Sequence, residues 1–213
     1  MDFMQIFTLI TGVLYIVLEI RQKNFMWVVG IATSLAAMWV FFRQGLYASF
    51  GLNTYYFITA FIGLWQWRRN KTALSSASSV MSSEVETSSV GHDTIVLNRL
   101  SWKTVIISAV VTVIGVVALS WGMGCLHDSG LLAENPMSLL DSAVAVLSAV
   151  ATWWLVKSYR EQWWLWIVAD AMSVALCISQ QMWWMAALYV AYVAAACYGL
   201  SYWKRHGTYL SDK

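Results

Sequence analysis

The chain of 213 residues is 60% hydrophobic and only 11% charged, with a formal net charge of +2. A soluble domain of this length needs a mostly polar surface that this composition cannot supply, so the apolar excess implies lipid. Nucleic-acid binding has no support in so small a charge, and no Gly-rich phosphate loop offers machinery for nucleotide hydrolysis.

The first apolar run, at about 3–20, follows the acidic Asp2 rather than a basic stretch and lacks a small-residue cleavage site, so a retained helix is expected. Six more runs follow at about 26–42, 47–67, 103–122, 139–156, 163–178 and 182–203. Each is close to the ~20 residues that cross a hydrocarbon core of ~30 Å. The expected fold is all-α, a polytopic membrane protein with seven transmembrane helices. If the odd-numbered connections share one side, that side holds every Lys and Arg except Arg43, while Asp2, Asp128, Glu134 and Asp141 lie opposite. The positive-inside rule then places the N-terminus outside and the C-terminus in the cytoplasm.

Between the third and fourth runs, Ala73 to Asp93 is Ser-rich, has no aromatic residue and offers little apolar surface, which predicts a flexible cytoplasmic linker. The expected organisation is a three-helix repeat over 1–72, the linker over 73–102, a linker helix with an external loop over 103–138, and a second three-helix repeat with a cytoplasmic tail over 139–213. Trp27 to Ser34 can be laid over Trp166 to Ser173. After a three-residue gap, Leu52, Tyr56, Ala60, Gly63, Leu64, Trp67 and Arg69 match Leu188, Tyr192, Ala196, Gly199, Leu200, Trp203 and Arg205. One intervening helix makes the two repeats parallel, as in some transporters.

Asp170 is the one carboxylate well inside an apolar run, where an ionisable group is expensive unless paired, hydrated or bound to something. Helical spacing puts Trp163, Trp166, Asp170, Ser173 and Cys177 on one face. Two indoles beside a carboxylate suit a cationic aromatic ligand. The other reading is that Asp170 bonds a neighbouring helix while the indoles anchor the interface, as belt duty also accounts for Trp153, Trp154 and Trp164. The third helix presents Asn53, Tyr56, Ala60, Gly63 and Trp67 on one stripe, and the seventh presents Tyr189, Tyr192, Ala196, Gly199 and Trp203. Small residues there allow close helix approach and polar ones can bond across helices or to a ligand, with packing as good an account as binding for Tyr189 and Tyr192. Glu19 and Glu161 sit beside Arg21 and Arg160, which reads as local ion pairing. His92, His127 and His206 have no metal-ligand spacing, and Cys125, Cys177 and Cys197 form no Cys-x-x-Cys pair, so no metal or cofactor is called for. A lone buried carboxylate, with no second catalytic group at its depth, also argues against an enzyme.

The run Gly51-Leu-Asn-Thr-Tyr-Tyr-Phe-Ile-Thr-Ala-Phe-Ile-Gly-Leu-Trp-Gln-Trp67, with Glu161-Gln-Trp-Trp-Leu-Trp-Ile-Val-Ala-Asp170 and the closing Tyr189, Gly199 and Trp203, resembles the PnuC family of vitamin transporters. The likeness covers both three-helix blocks. It implies a 3+1+3 helix arrangement akin to the SWEET sugar transporters, a homotrimer, and facilitated diffusion in the bacterial inner membrane with a cytoplasmic kinase trapping the solute. Members of the family carry nicotinamide riboside, and relatives carry thiamine or riboflavin. The first two contain a cationic ring that would fit Trp163, Trp166 and Asp170. Asn53 stands where a riboside carrier is expected to have a longer amide, and the Glu161-Gln-Trp-Trp run is closer to thiamine-type members. Nicotinamide riboside is thus the expected solute, with thiamine as the alternative.

Overall fold

The computed structural model describes residues 14–43, 47–81, 95–130, 137–181 and 183–209. Seven helices lie among them: α1 over 14–20, α2 (Phe25–Arg43), α3 (Tyr47–Met81), α4 (Trp102–Asp128), α5 (Ser138–Val156), α6 (Gln162–Ser179) and α7 (Trp183–His206). Two short strands, β1 (Ile95–Leu97) and β2 (Gly207–Tyr209), complete the described chain. By length and composition α4, α5, α6 and Met185–His206 of α7 can each cross a membrane, and α2 is apolar over Phe25–Leu35. Glu134 and most of the Ser-rich stretch lie outside the described residues.

From α2 onward the helices begin and end within a turn or two of the apolar runs, with one exception. α3 runs on to Met81, through the first part of the stretch expected to be a flexible linker. Ser and Ala are no worse than neutral for helix once the nucleus exists, and no Gly or Pro interrupts the sequence before Met81. The linker's far end also departs from expectation, since Ile95, Val96 and Leu97 are buried in β1. α4 is the opposite case to a core helix: it has no buried residue, and Ile107, Val113, Ile114 and Val117 are all exposed. A helix this apolar with most of its surface uncovered belongs in lipid.

The chain forms two compact units, the first made of Met1–Arg99, Leu155–Arg160 and Tyr202–Lys213, the second of Leu100–Trp154 and Glu161–Ser201. In the first unit the α2–α3 pair is set by Gly63. A Cβ there would stand 2.5 Å from the Trp27 ring, so only glycine leaves room for the indole. Trp27 in turn meets Trp67 edge to face, with centroids 5.1 Å apart, the geometry that aromatic quadrupoles favour. In the second unit Gly199 of α7 does the same for Trp163 of α6, at 2.6 Å. There also α4 packs on α5, where Trp154 Nε1 donates to Ser108 Oγ at 2.9 Å and Gly115 faces Val146. Trp154 is therefore a buried packing residue and not part of an interfacial belt, because α4 supplies an acceptor for its indole. Trp153 and Trp164 are exposed, as belt residues would be.

These devices correct the register of the repeat. One gapless offset carries Gln22 to Ser158, Trp27 to Trp163, Gly63 to Gly199 and Trp67 to Trp203. Gln22 and Ser158 are both left-handed, at φ 48° and 57°. Each turn closes identically, Gln22 N–H to Glu19 O and Ser158 N–H to Leu155 O, both at 2.9 Å. Trp27 thus corresponds to Trp163 rather than Trp166. Trp163 and Trp166 are one turn apart on one face, and the overlay from sequence took the wrong one because its neighbours matched better.

The first unit is tied together at one end by β1. Its strand pairs in parallel with β2, Ile95 opposite Gly207, Val96 opposite Thr208 and Leu97 opposite Tyr209. On its other side the buried Gln22 amide acts as a surrogate strand, donating Nε2 to Val96 O at 2.9 Å and accepting from Val96 N–H at 2.8 Å. Asn98 then reaches the α5–α6 turn, its backbone N–H donating to Ser158 O at 3.1 Å and its Nδ2 to Lys157 O at 2.7 Å. Two indoles cross-brace the same end: Trp67 Nε1 donates to Leu155 O at 3.1 Å and Trp203 Nε1 to Ile20 O at 2.8 Å. Lys71 Nζ donates to Gln22 O at 2.8 Å.

Candidate functional site

α6 carries the candidate carboxylate. Its buried residues are Gln162, Trp163, Ala169, Asp170, Ser173 and Cys177, which is the face that helical spacing selected except for Trp166, which is half-buried. Asp170 is 8% exposed and lies within electrostatic reach of Tyr192 on α7. Trp166, one turn before Asp170, has a buried indole N–H with no hydrogen-bond partner among the described residues. A buried donor without an acceptor calls for an explanation, and a ligand acceptor beside Asp170 would provide one. Ser173 spends its hydroxyl inside the helix, donating to Ala169 O at 2.9 Å. That leaves its oxygen as a weak acceptor only.

Trp163 is 1% exposed and lodged against Gly199. This position gives it a packing duty alongside any contact with solute. On α7, Tyr189 and Tyr192 are half-buried and meet edge to face with centroids 6.0 Å apart, above the buried Ala196 and Gly199. The second unit therefore brings Asp170, Trp166, Ser173, Tyr189 and Tyr192 onto two neighbouring helices.

Asn53 and Tyr56 belong to the first unit and are half-buried on α3, on the side of the helix that carries buried Ala60, Gly63 and Trp67. Tyr56 stacks obliquely with Tyr55 at 5.6 Å and is within electrostatic reach of Tyr15 on α1. Glu19, read from the sequence as locally ion-paired, is buried and acts electrostatically on Tyr15. Residues that sequence reasoning passed over include Gln22, Asn98 and the apolar triplet of β1. Their only signal was a polar residue in a short turn and three β-branched or leucine residues after a polar stretch, too short for any periodicity to register.

A multi-pass helical chain with a buried carboxylate among aromatic residues, and no second catalytic group beside it on those two helices, has the character of a solute-handling membrane protein. The family model described as nicotinamide mononucleotide transporter matches residues 2–205, and the chain belongs to this family, the PnuC family. It is similar to the nicotinamide riboside transporter PnuC of Neisseria mucosa, 26% identical over 215 residues that cover 92% of this chain and 72% of that protein. It also shares the fold of the vitamin B3 transporter PnuC seen in a crystal structure, with a TM-score of 0.60, 24% identity, and coverage of 93% of this chain and 81% of that one. The family and both relatives are transporters, so this chain is a membrane transporter and not an enzyme.

Proposed function

We propose that this chain takes up nicotinamide riboside across a bacterial inner membrane, with its N-terminus external and its C-terminus cytoplasmic. The observation that carries the reading is Asp170, a carboxylate held inside α6 beside the open donor of Trp166. A buried carboxylate needs a counter-charge, and a pyridinium ring supplies one in a shape that indole and phenol rings accept. Asp170, Trp163 and Trp166 would take the ring, while Ser173, Tyr189 and Tyr192 would serve the amide and the ribose hydroxyls; Asn53 and Tyr56 are the first unit's candidate solute contacts. The names in the family leave a choice between a nucleoside and its phosphate. The apolar runs contain no Lys or Arg in their interior, and a phosphate dianion in a membrane site needs a cation. That favours the riboside over the mononucleotide.

The 3+1+3 helix arrangement and the homotrimer are part of this reading, and the gapless offset between the two halves supports the first. With no nucleotide-binding loop and no visible ion relay, facilitated diffusion with phosphorylation of the arriving solute is the mechanism that asks least of the chain. Thiamine, the alternative that the sequence left open, is not favoured, since both relatives are named for nicotinamide riboside or vitamin B3. Calorimetry on the purified protein tests the substrate. Nicotinamide riboside should bind and thiamine should bind at least about tenfold more weakly, a gap of ~1.4 kcal/mol. Tighter binding of thiamine would reverse the assignment.

A further inference from the structure

β1 joins parts of the chain that belong to different halves. Gln22, from the turn after α1, grips the Val96 peptide from one side. The other half contributes β2, which follows α7, and the α5–α6 turn held by Asn98. In a transporter built from two repeats, the solute leaves when the repeats part at one end. Parting at this end breaks the two indole bonds, Trp67 to Leu155 O and Trp203 to Ile20 O, and with them either the Gln22 bonds or the bonds to β2 and the α5–α6 turn. Both sets are small. A two-stranded piece of three residues is marginal by itself, and what holds it is burial of Ile95, Val96 and Leu97.

We propose that β1 is a cytoplasmic latch: it fastens the ends of the two halves together in the state described, and it releases from β2 and the α5–α6 turn when solute passes to the cytoplasm. The proposal rests on the orientation given above and on membership of a transporter family. Gly207 is the keyhole of the latch. A Cβ at that position would run into the Leu97 side chain and stand 2.5 Å from Trp203 O, so any other residue pushes β1 away from β2. The Ser108–Trp154 and Gly199–Trp163 contacts, which lie in the other unit, are untouched by release.

The test is a reversible lock. Val96→Cys with Thr208→Cys, in a chain whose Cys125, Cys177 and Cys197 are replaced by serine, places two thiols at paired strand positions that a disulfide can span. In proteoliposomes the oxidised protein should bind nicotinamide riboside within about twofold of the reduced protein, yet transport it at least about tenfold more slowly, with recovery on reduction. Equal transport by the oxidised and reduced proteins would overturn the latch. Absence of transport by the reduced pair and by the unmodified chain alike would instead overturn the substrate reading, and a second measurement then decides the latch without any solute. Ile95, 0% exposed in the closed state, is replaced by cysteine and exposed to a membrane-impermeant maleimide, with Thr208→Cys as the accessible control. The latch requires slow but complete labelling of Ile95→Cys, faster by about tenfold or more when Gly207→Ala is added. A cysteine at position 95 that never reacts, with or without Gly207→Ala, would show that β1 is a fixed brace.

Discussion

The two halves of the chain solve one packing problem in the same way and then differ in the polar side chains placed around it. In the first half Trp27 of α2 fills the notch at Gly63 of α3, and in the second Trp163 of α6 fills the notch at Gly199 of α7. Each third helix carries an indole, Trp67 or Trp203, whose N–H is given to a carbonyl at the end of the other half's first helix. At the offset that aligns these pairs, the buried Ser34 stands where Asp170 does. These repeated features are steric, and the Ser34/Asp170 difference is electrostatic. Matched packing devices thus hold the helices of each half, and the proposed solute contact sits at a position where the halves differ.

If the devices are matched, damage to them should be symmetrical. Trp27→Ala and Trp163→Ala should each lower stability by ~3–5 kcal/mol, the range for removing a large buried aromatic, read as a loss of thermal stability in detergent. A large loss in one half only would break the comparison. Trp67→Phe and Trp203→Phe keep the ring but each remove one buried hydrogen bond, and since Leu155 O still accepts from Ser158 N–H, each should destabilise by ~0.5–1.5 kcal/mol. Chemical denaturation that finds the two unequal by more than that spread would mean that the cross-brace is not a repeated device.

Changes near Asp170 should act on affinity instead. Trp166→Leu should weaken binding of nicotinamide riboside by ~0.5–2 kcal/mol, the worth of a desolvated cation–π contact, with little change in melting temperature because Trp166 fills no notch. Calorimetry showing unchanged affinity would assign Trp166 to packing. At the small end, deleting residues 82–90, which lie between α3 and β1 and supply no residue to the proposed site, should leave affinity within about twofold. A larger loss in a well-folded deletion would bring that stretch into the site.

Much of this was legible in the sequence, for identifiable reasons. Long apolar runs mark α4 to α7 because a helix must satisfy its own backbone in lipid and so must be continuous. Asp170 stood out because a carboxylate in such a run is costly. Gly63 and Gly199 were legible as sites of close approach, but not which indole fills them. Trp163 and Trp166 share a face, and helical periodicity cannot choose between residues one turn apart. The Ser-rich stretch misled at both ends. Its composition hid the continuation of α3 to Met81, where helix propagates cheaply from an existing turn. It also hid β1, whose partners are Gln22, β2 and, through Asn98, the α5–α6 turn, all distant in sequence. Trp154 looked like a belt residue until Ser108 of α4 supplied its acceptor.

The central claim is that Asp170 meets the positive charge of the solute, and one comparison of affinities tests it most directly. Binding of nicotinamide riboside and of its reduced form, whose dihydropyridine ring is neutral, is measured on the unmodified chain and on Asp170→Asn. The account predicts a loss of ~1–3 kcal/mol for the charged ring, since a charge-assisted contact becomes a neutral one in nearly the same shape, and almost no change for the neutral ring. Equal losses for both rings, accompanied by a lower melting temperature, would contradict it and make Asp170 a structural residue that bonds a neighbouring helix.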